Sequence, residues 1–149
     1  MPDLAEATRA ALNEYMNRAH CAEVVFKYTC KAWHPGFDES LVRLGTPFGG
    51  GIADRGNVCG ALIGGLLVIG YLFGRRSLTE SQTLCRELSG RYHDAFKGAF
   101  QDTTCYGIRG RIFNWDTHVK CSNTVSRSMA VLWEVVREAE ARGQTPWRT

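Results

Sequence analysis

At 149 residues and a net charge of +3, the chain suits one domain that buries about two-thirds of its unfolded surface, and it is too weakly basic to argue for nucleic acid. The start, MPDLAEATRA, lacks the basic and apolar regions of a signal peptide, and the longest apolar run, Ala61 to Phe73, has 13 residues against the ~20 needed to span a bilayer. A cytoplasmic protein without membrane insertion is expected.

The pattern along the chain is helical almost throughout. Asp3 and Glu6 have capping-box spacing, and Leu4, Thr8, Ala11, Leu12, Tyr15 and Ala19 follow with helical period. Asn17 to His20 interrupts that stripe. Ala22, Val25, Phe26, Thr29 and Trp33 resume it until His34-Pro35-Gly36 stops the helix. A short helical piece near Glu39 to Leu44 leads into a triple glycine.

The organising stretch is Phe48 to Arg76, FGGGIADRGNVCGALIGGLLVIGYLFGRR. A central apolar helix is expected over about residues 57–74, with Asn57 as N-cap, Cys59 in the first turn and Gly74 as the stop. The positive end of that helix favours a thiolate, and the adjoining loop carries Arg55, so the Cys59 thiol is expected below its ordinary pKa. Gly60 and Gly64 lie four apart on one face, with Gly65 and Gly70 as further bare patches. Glycine inside a helix costs up to ~1 kcal/mol relative to alanine, so several together need a reason. Gly49, Gly50, Gly51, Gly60 and Gly64 are therefore expected where another backbone, or a cofactor, comes close. A phosphate cradle is a weak reading of the triple glycine, since no GxxxxGK[ST], preceding strand or nearby Lys accompanies it.

Beyond it, Ser77 and Glu80 again have capping-box spacing, and Leu84, Leu88, Tyr92, Ala95, Phe96 and Phe100 mark an amphipathic helix ending near Ala99. Gln101 to Lys120 is the least regular part, with one helical turn expected at Cys105. From Cys121 the stripe Val125, Met129, Leu132, Val136 and Ala139 marks the last helix. Residues 143–149 read as a loose tail. With no repeat, linker or low-complexity run, the fold class is all-α: one helical bundle over 1–149 around the glycine-rich helix.

The six cysteines, at 21, 30, 59, 85, 105 and 121, include no CxxC, so any site they form is assembled by the fold. Cys30 shares an apolar face with Phe26 and Trp33, and Cys85 sits beside Leu84 and Leu88. Both read as small buried hydrophobes. Cys21, Cys59, Cys105 and Cys121 lie at expected helix starts or in irregular chain, where reactive thiols and ligands concentrate. His20, beside Cys21, could tune it or ligate metal, whereas His34, His93 and His118 share no spacing with it. Histidines and carboxylates form no recognisable acid–base set, which leaves enzymatic activity open.

The order of these motifs resembles the redox-active proteins named for the cysteine pattern C-GCAxxG-C-C, to which a domain linked with split-Soret cytochromes is similar. The likeness covers roughly residues 15–137. Its most specific part is Cys59-Gly60-Ala61-Leu62-Ile63-Gly64, preceded by Phe48-Gly49-Gly50-Gly51. His20-Cys21-Ala22 stands where the family has Asn-Cys-Ala, Cys105 with Ile108 and Gly110 resembles the third cysteine, and Cys121 the fourth. The segment Arg111 to Lys120 is longer than the pattern leads one to expect. The resemblance implies a redox role without naming a reaction.

Three functions follow. Cys21, Cys59, Cys105 and Cys121 could cycle between dithiol and disulfide or pass electrons. The same four thiolates could hold an iron–sulfur cluster, for which Cys₄ is the normal ligand set. The third is a structural or adaptor subunit with buried, unreactive cysteines. The first two require the four sulfurs to converge although 100 residues separate the first from the last, without Cys30 or Cys85. The expected partner is a redox protein or a small thiol, and a homodimer is left open.

Overall fold

The computed structural model describes residues 2–144 and 146, so residues 145 and 147–149 of the expected tail lie outside the described residues. Six α-helices carry the fold: α1 (Leu4–Met16), α2 (Cys21–Trp33), α3 (Gly60–Phe73), α4 (Thr83–Phe100), α5 (Cys105–Arg109) and α6 (Trp115–Ala141). A 3-10 segment, Glu39–Phe48, runs between α2 and the glycine loop. No strand occurs among the described residues, and the one β-like feature is an isolated antiparallel bridge between Val58 and Thr104. The all-α expectation holds.

Local sequence sets most of the boundaries. The Asp3 carboxylate accepts from the Glu6 N–H at 3.1 Å and starts α1. Arg18 at φ 71° leaves helical space between α1 and α2, where Asn17 to His20 was expected to break the pattern. The His20 N–H then donates to Glu23 Oε1 at 2.8 Å across the first turn of α2. At the far end of α3, the Gly74 N–H donates back to the Gly70 carbonyl.

α3 is the hub. Ala61, Leu62, Val68, Ile69, Leu72 and Phe73 are all buried, and the helix packs against α2, α4 and α6. Its glycines make the closest of those contacts. A Cβ on Gly64 would lie 2.8 Å from the Ala22 carbonyl oxygen and 3.0 Å from Val25 Cβ, so the backbones of α2 and α3 meet there. Gly65 lies under the Tyr92 ring of α4, whose hydroxyl donates to the Ala61 carbonyl at 3.1 Å. Gly70 is a correction, since nothing lies within 4 Å of where its Cβ would be.

Three other boundaries differ from expectation. Asn57 is not the N-cap of α3. Its side chain accepts from the adjacent Val58 N–H, and Cys59 itself occupies the cap position. The reason is tertiary: Val58 and Cys59 are held extended by pairing with the chain at 103–104. Ser77 and Glu80 do not open α4, which begins at Thr83, because Glu80 is drawn back to the Arg76 N–H and guanidinium. α6 begins not at Cys121 but at Trp115. Asn114 and Thr117 cap it reciprocally, the Asn114 side chain accepting from the Thr117 N–H and the Thr117 hydroxyl from the Asn114 N–H.

Candidate redox site

Cys59 and Cys105 are brought together first, by backbone. On either side of the Val58–Thr104 bridge, the Cys59 N–H donates to the Thr103 carbonyl at 2.7 Å and the Cys105 N–H to the Asn57 carbonyl at 2.6 Å. In an antiparallel pair, residues next to a bridge position turn to the opposite face from it, so both cysteines turn to the same side. The two then start different helices, Cys59 as the N-cap of α3 and Cys105 as the first residue of α5.

The glycine loop builds the wall behind them. Gly50, Gly51, Ile52, Ala53 and Asp54 all have positive φ, from 47° to 74°, forming a left-handed turn. It is closed by donation from the Asp54 N–H to the Gly49 carbonyl and from the Asn57 N–H to the Gly51 carbonyl. Three of the five are not glycine, and each such residue costs roughly 1–2 kcal/mol in that conformation. The strain has a consequence for geometry. A Cβ on Gly51 would lie 2.5 Å from Cys105 Cβ, so the turn seats directly against that cysteine. Gly49 is covered by the His20 ring, and Gly50 by Asp54.

Cys21 arrives through the α2–α3 crossing. Its sulfur would lie 2.5 Å from a Cβ on Gly60, so the first glycine of α3 makes room for it. Cys121 comes from the second turn of α6, one turn into the helix that was expected to start there.

The structure brings all four of these cysteines to one cavity of about 40 Å3, enough for a few water molecules. Tyr15, His20, Gly50, Gly60, Arg109, His118 and Phe113 also line it. Cys59 and Cys105 are buried, while Cys21 and Cys121 are half-buried. Cys30 is sealed in the core and Cys85 packs at its margin, and neither lines the cavity. All six cysteines are thiols.

The electrostatics overturn one expectation. Burial pushes the Cys59 thiol up to about 11, not down, although the backbone N–H groups of Ala61 and Leu62 donate to its sulfur. Desolvation exceeds the helix-end effect because Cys59 is only 6 % exposed. Cys21 is raised well above the ordinary thiol value by burial and then by repulsion from Cys59, Cys121 and Cys105. Cys121 is raised for the same reasons, against partial relief from Arg109 and Lys120. Tyr15 is raised by burial and by all four thiols, which places its hydroxyl in the same field.

Two residues that sequence reasoning passed over belong to this site. Arg109 is 6 % exposed, and its Nε–H donates to Cys105 Sγ at 3.1 Å. Its spacing of four from a candidate cysteine, which sets two residues on one helical face, was the available signal. His118 is buried on α6, where its Nε2–H donates to the Tyr15 carbonyl at 2.8 Å. Its ring stacks between Tyr15, at 4.0 Å, and Trp115, at 5.1 Å. No pattern in the sequence pairs positions 15 and 118.

An all-α bundle with four cysteines gathered at one cavity defines a class before it defines a chemistry. Residues 19–135 match the family described as "Putative redox-active protein (C_GCAxxG_C_C)", and the chain belongs to that family. No curated protein and no solved structure matches it. Among the described residues, no helix is long and apolar enough to cross a membrane.

Proposed function

We propose that this is a thiol-based redox protein whose cavity cysteines exchange electrons in pairs by making and breaking a disulfide. The observation that carries the reading is that Cys21, Cys59, Cys105 and Cys121, drawn from four different helices, line one cavity of about 40 Å3 while Cys30 and Cys85 stay outside it. In the oxidising direction two cavity thiols lose two protons and two electrons and form one S–S bond. The electrons pass to a partner disulfide, whose two sulfurs take up the protons as thiols. The partner is a redox protein or a low-molecular-weight disulfide.

A second reading, an iron–sulfur cluster, is favoured by one observation. Three of the thiols are raised by burial and mutual repulsion, and a cationic metal core would reverse both effects. The donor chemistry fits, since Cys21, Cys59, Cys105 and Cys121 supply the usual four-sulfur set. Among the described residues, no three His, Cys, Asp or Glu side chains are arranged to hold a single metal ion. A cluster would supply one-electron transfer.

One preparation separates the readings. The protein is purified without oxygen, its visible spectrum recorded, and its free thiols counted before and after a mild disulfide oxidant and again after dithiothreitol. A colourless protein that loses two or four thiols reversibly, mapped to the cavity cysteines by mass spectrometry, supports the first. A brown protein with iron and inorganic sulfide supports the second. A colourless protein that keeps all its thiols defeats both.

A further inference from the structure

We propose that Cys105 is the thiol that reacts first in this cavity, and that Arg109 is the positioning residue that gives its sulfur a fixed positive counter-charge. The assignment rests on the thiol–disulfide reading above and names the entry point within it.

Arg109 is a buried guanidinium with no carboxylate partner among the described residues. Its Nη1 donates to the carbonyls of Gly110 and Ile112, at 3.0 and 3.1 Å, which fixes the fork without neutralising it. The rings of Phe113 and Tyr106 lie 4.6 and 5.4 Å from its central carbon and attract the cation through their π faces without neutralising its charge. An unpaired buried cation is costly, and the thiol to which it donates a hydrogen bond, Cys105, can become its counter-anion. No other arginine or lysine lines the cavity among the described residues. Cys21 and Cys59, by contrast, receive only backbone N–H groups, and Cys121 feels the charges of Arg109 and Lys120 without a hydrogen bond from either. The thiolate is the nucleophile in disulfide exchange, so the thiol with the counter-charge leads.

The step balances as follows. The Cys105 sulfur attacks a small disulfide R–S–S–R, forms the mixed disulfide Cys105–S–S–R and expels RS⁻, which takes up a proton. A second cavity thiol then gives up its proton and attacks the Cys105 sulfur. The second RS⁻ leaves, and an internal disulfide closes. The protein is oxidised by two electrons and R–S–S–R is reduced to two thiols. Cys59, which flanks the same Val58–Thr104 bridge as Cys105, is the second thiol in this scheme.

The test is site-resolved alkylation of the fully reduced protein with limiting iodoacetamide at neutral pH, read by mass spectrometry. Cys105 should label fastest of the four cavity thiols. Arg109→Met should slow Cys105 by about tenfold or more, leaving Cys85 unchanged, and Arg109→Lys should recover part of the rate because the charge returns. Loosening of the fold would speed labelling, whereas loss of the charge slows it, so the two effects have opposite signs. Should Arg109→Met not fold, Cys105→Ser must abolish the fastest labelling phase of the protein. A wild-type protein in which another cavity cysteine labels first, or an Arg109→Met protein with the wild-type Cys105 rate, overturns the assignment. Because the labelling is done on reduced protein, it can succeed where reversible oxidation fails. The fate of the broader reading is therefore decided separately.

Discussion

The α2–α3 crossing is the contact on which the cavity depends, and Gly64→Ala probes it with one methyl group. The new Cβ would sit 2.8 Å from the Ala22 carbonyl oxygen, 3.0 Å from Val25 Cβ and 3.1 Å from Ala22 Cα. Two of those three atoms are backbone and cannot rotate away, so the helices must separate by several tenths of an ångström. Overpacking of this kind costs typically ~1–3 kcal/mol. Alanine also returns up to ~1 kcal/mol of helix propensity, so the single variant mixes two effects. Gly70→Ala separates them. It lies in the same helix, is exposed and has nothing within 4 Å of its Cβ position, so it should gain the propensity alone. The difference between the two variants is then the cost of the crossing itself, about 1–3 kcal/mol, or roughly 2–4 °C in melting temperature for each kcal/mol at this chain length. Thermal and urea melts of both under reducing conditions measure it. Gly70→Ala should melt above the parent and Gly64→Ala below Gly70→Ala by the stated amount. Equal melting of the two variants would refute the close approach of α2 and α3.

The left-handed turn predicts a gain from a change that usually loses. Ile52 is a β-branched residue at φ 65°, and Ile52→Gly should stabilise by up to ~1 kcal/mol as relief of strain exceeds the added chain entropy; a loss on urea denaturation would mean the turn is not strained there. Asn114→Ala removes the acceptor for the Thr117 N–H and should cost about 1 kcal/mol, read in the same melts, with no change indicating that α6 does not depend on this cap. Gly60→Ala would place a methyl 2.5 Å from the Cys21 sulfur, so it should change the alkylation rate of Cys21 more than that of Cys85; equal effects would detach Cys21 from this glycine.

What was legible in the sequence and what was not divide along the range of the interactions. The stripes of α1, α2 and α4 and the apolar hub α3 follow from helical period and local caps. The Asp3 cap and the Gly74 stop are where the chain's own neighbours put them. The start of α3 was misplaced because a non-local bridge to Thr104 holds Val58 and Cys59 extended, so Asn57 never reaches the cap position. The start of α6 was missed for a different reason: Asn114 and Thr117 form a local box that lies outside the apolar stripe beginning at Cys121. The four cysteines were picked out by their contexts, and the structure sets them around one cavity. The buried cation Arg109 showed only in its spacing of four from Cys105, and the stacked His118 in no pattern at all. One depends on a five-residue helix and the other on a contact across 103 positions.

The same burial that silences Cys59 as a thiolate makes the reduced protein sensitive to alkali. Its thiol stands at about 11 when folded against an ordinary value of 9.0. A raised acid holds its proton in the folded state over a range where the unfolded chain has already lost it. The associated stability is therefore complete below pH 9 and is lost as pH rises through about 11. At 1.36 kcal/mol for each pH unit of that span, the loss is about 2–3 kcal/mol in order of magnitude. Cys21 and Cys121 are raised as well and act in the same direction, as do the buried phenols Tyr15 and Tyr92, so the wild-type slope alone does not isolate one group. Comparison with Cys59→Ala isolates the Cys59 thiol together with the repulsion it exerts on Cys21, Tyr15 and Tyr92. A disulfide that includes Cys59 removes the ionisable thiol altogether, along with the charge it would otherwise place beside Cys21. Urea melts at pH 8 and pH 10.5 should accordingly show a larger alkaline loss in reduced wild type than in reduced Cys59→Ala, and a smaller loss once wild type is oxidised. An alkaline loss of the same size in all three would show that Cys59 is not held protonated by its burial and that disulfide formation does not relieve the crowding of charge at this cavity.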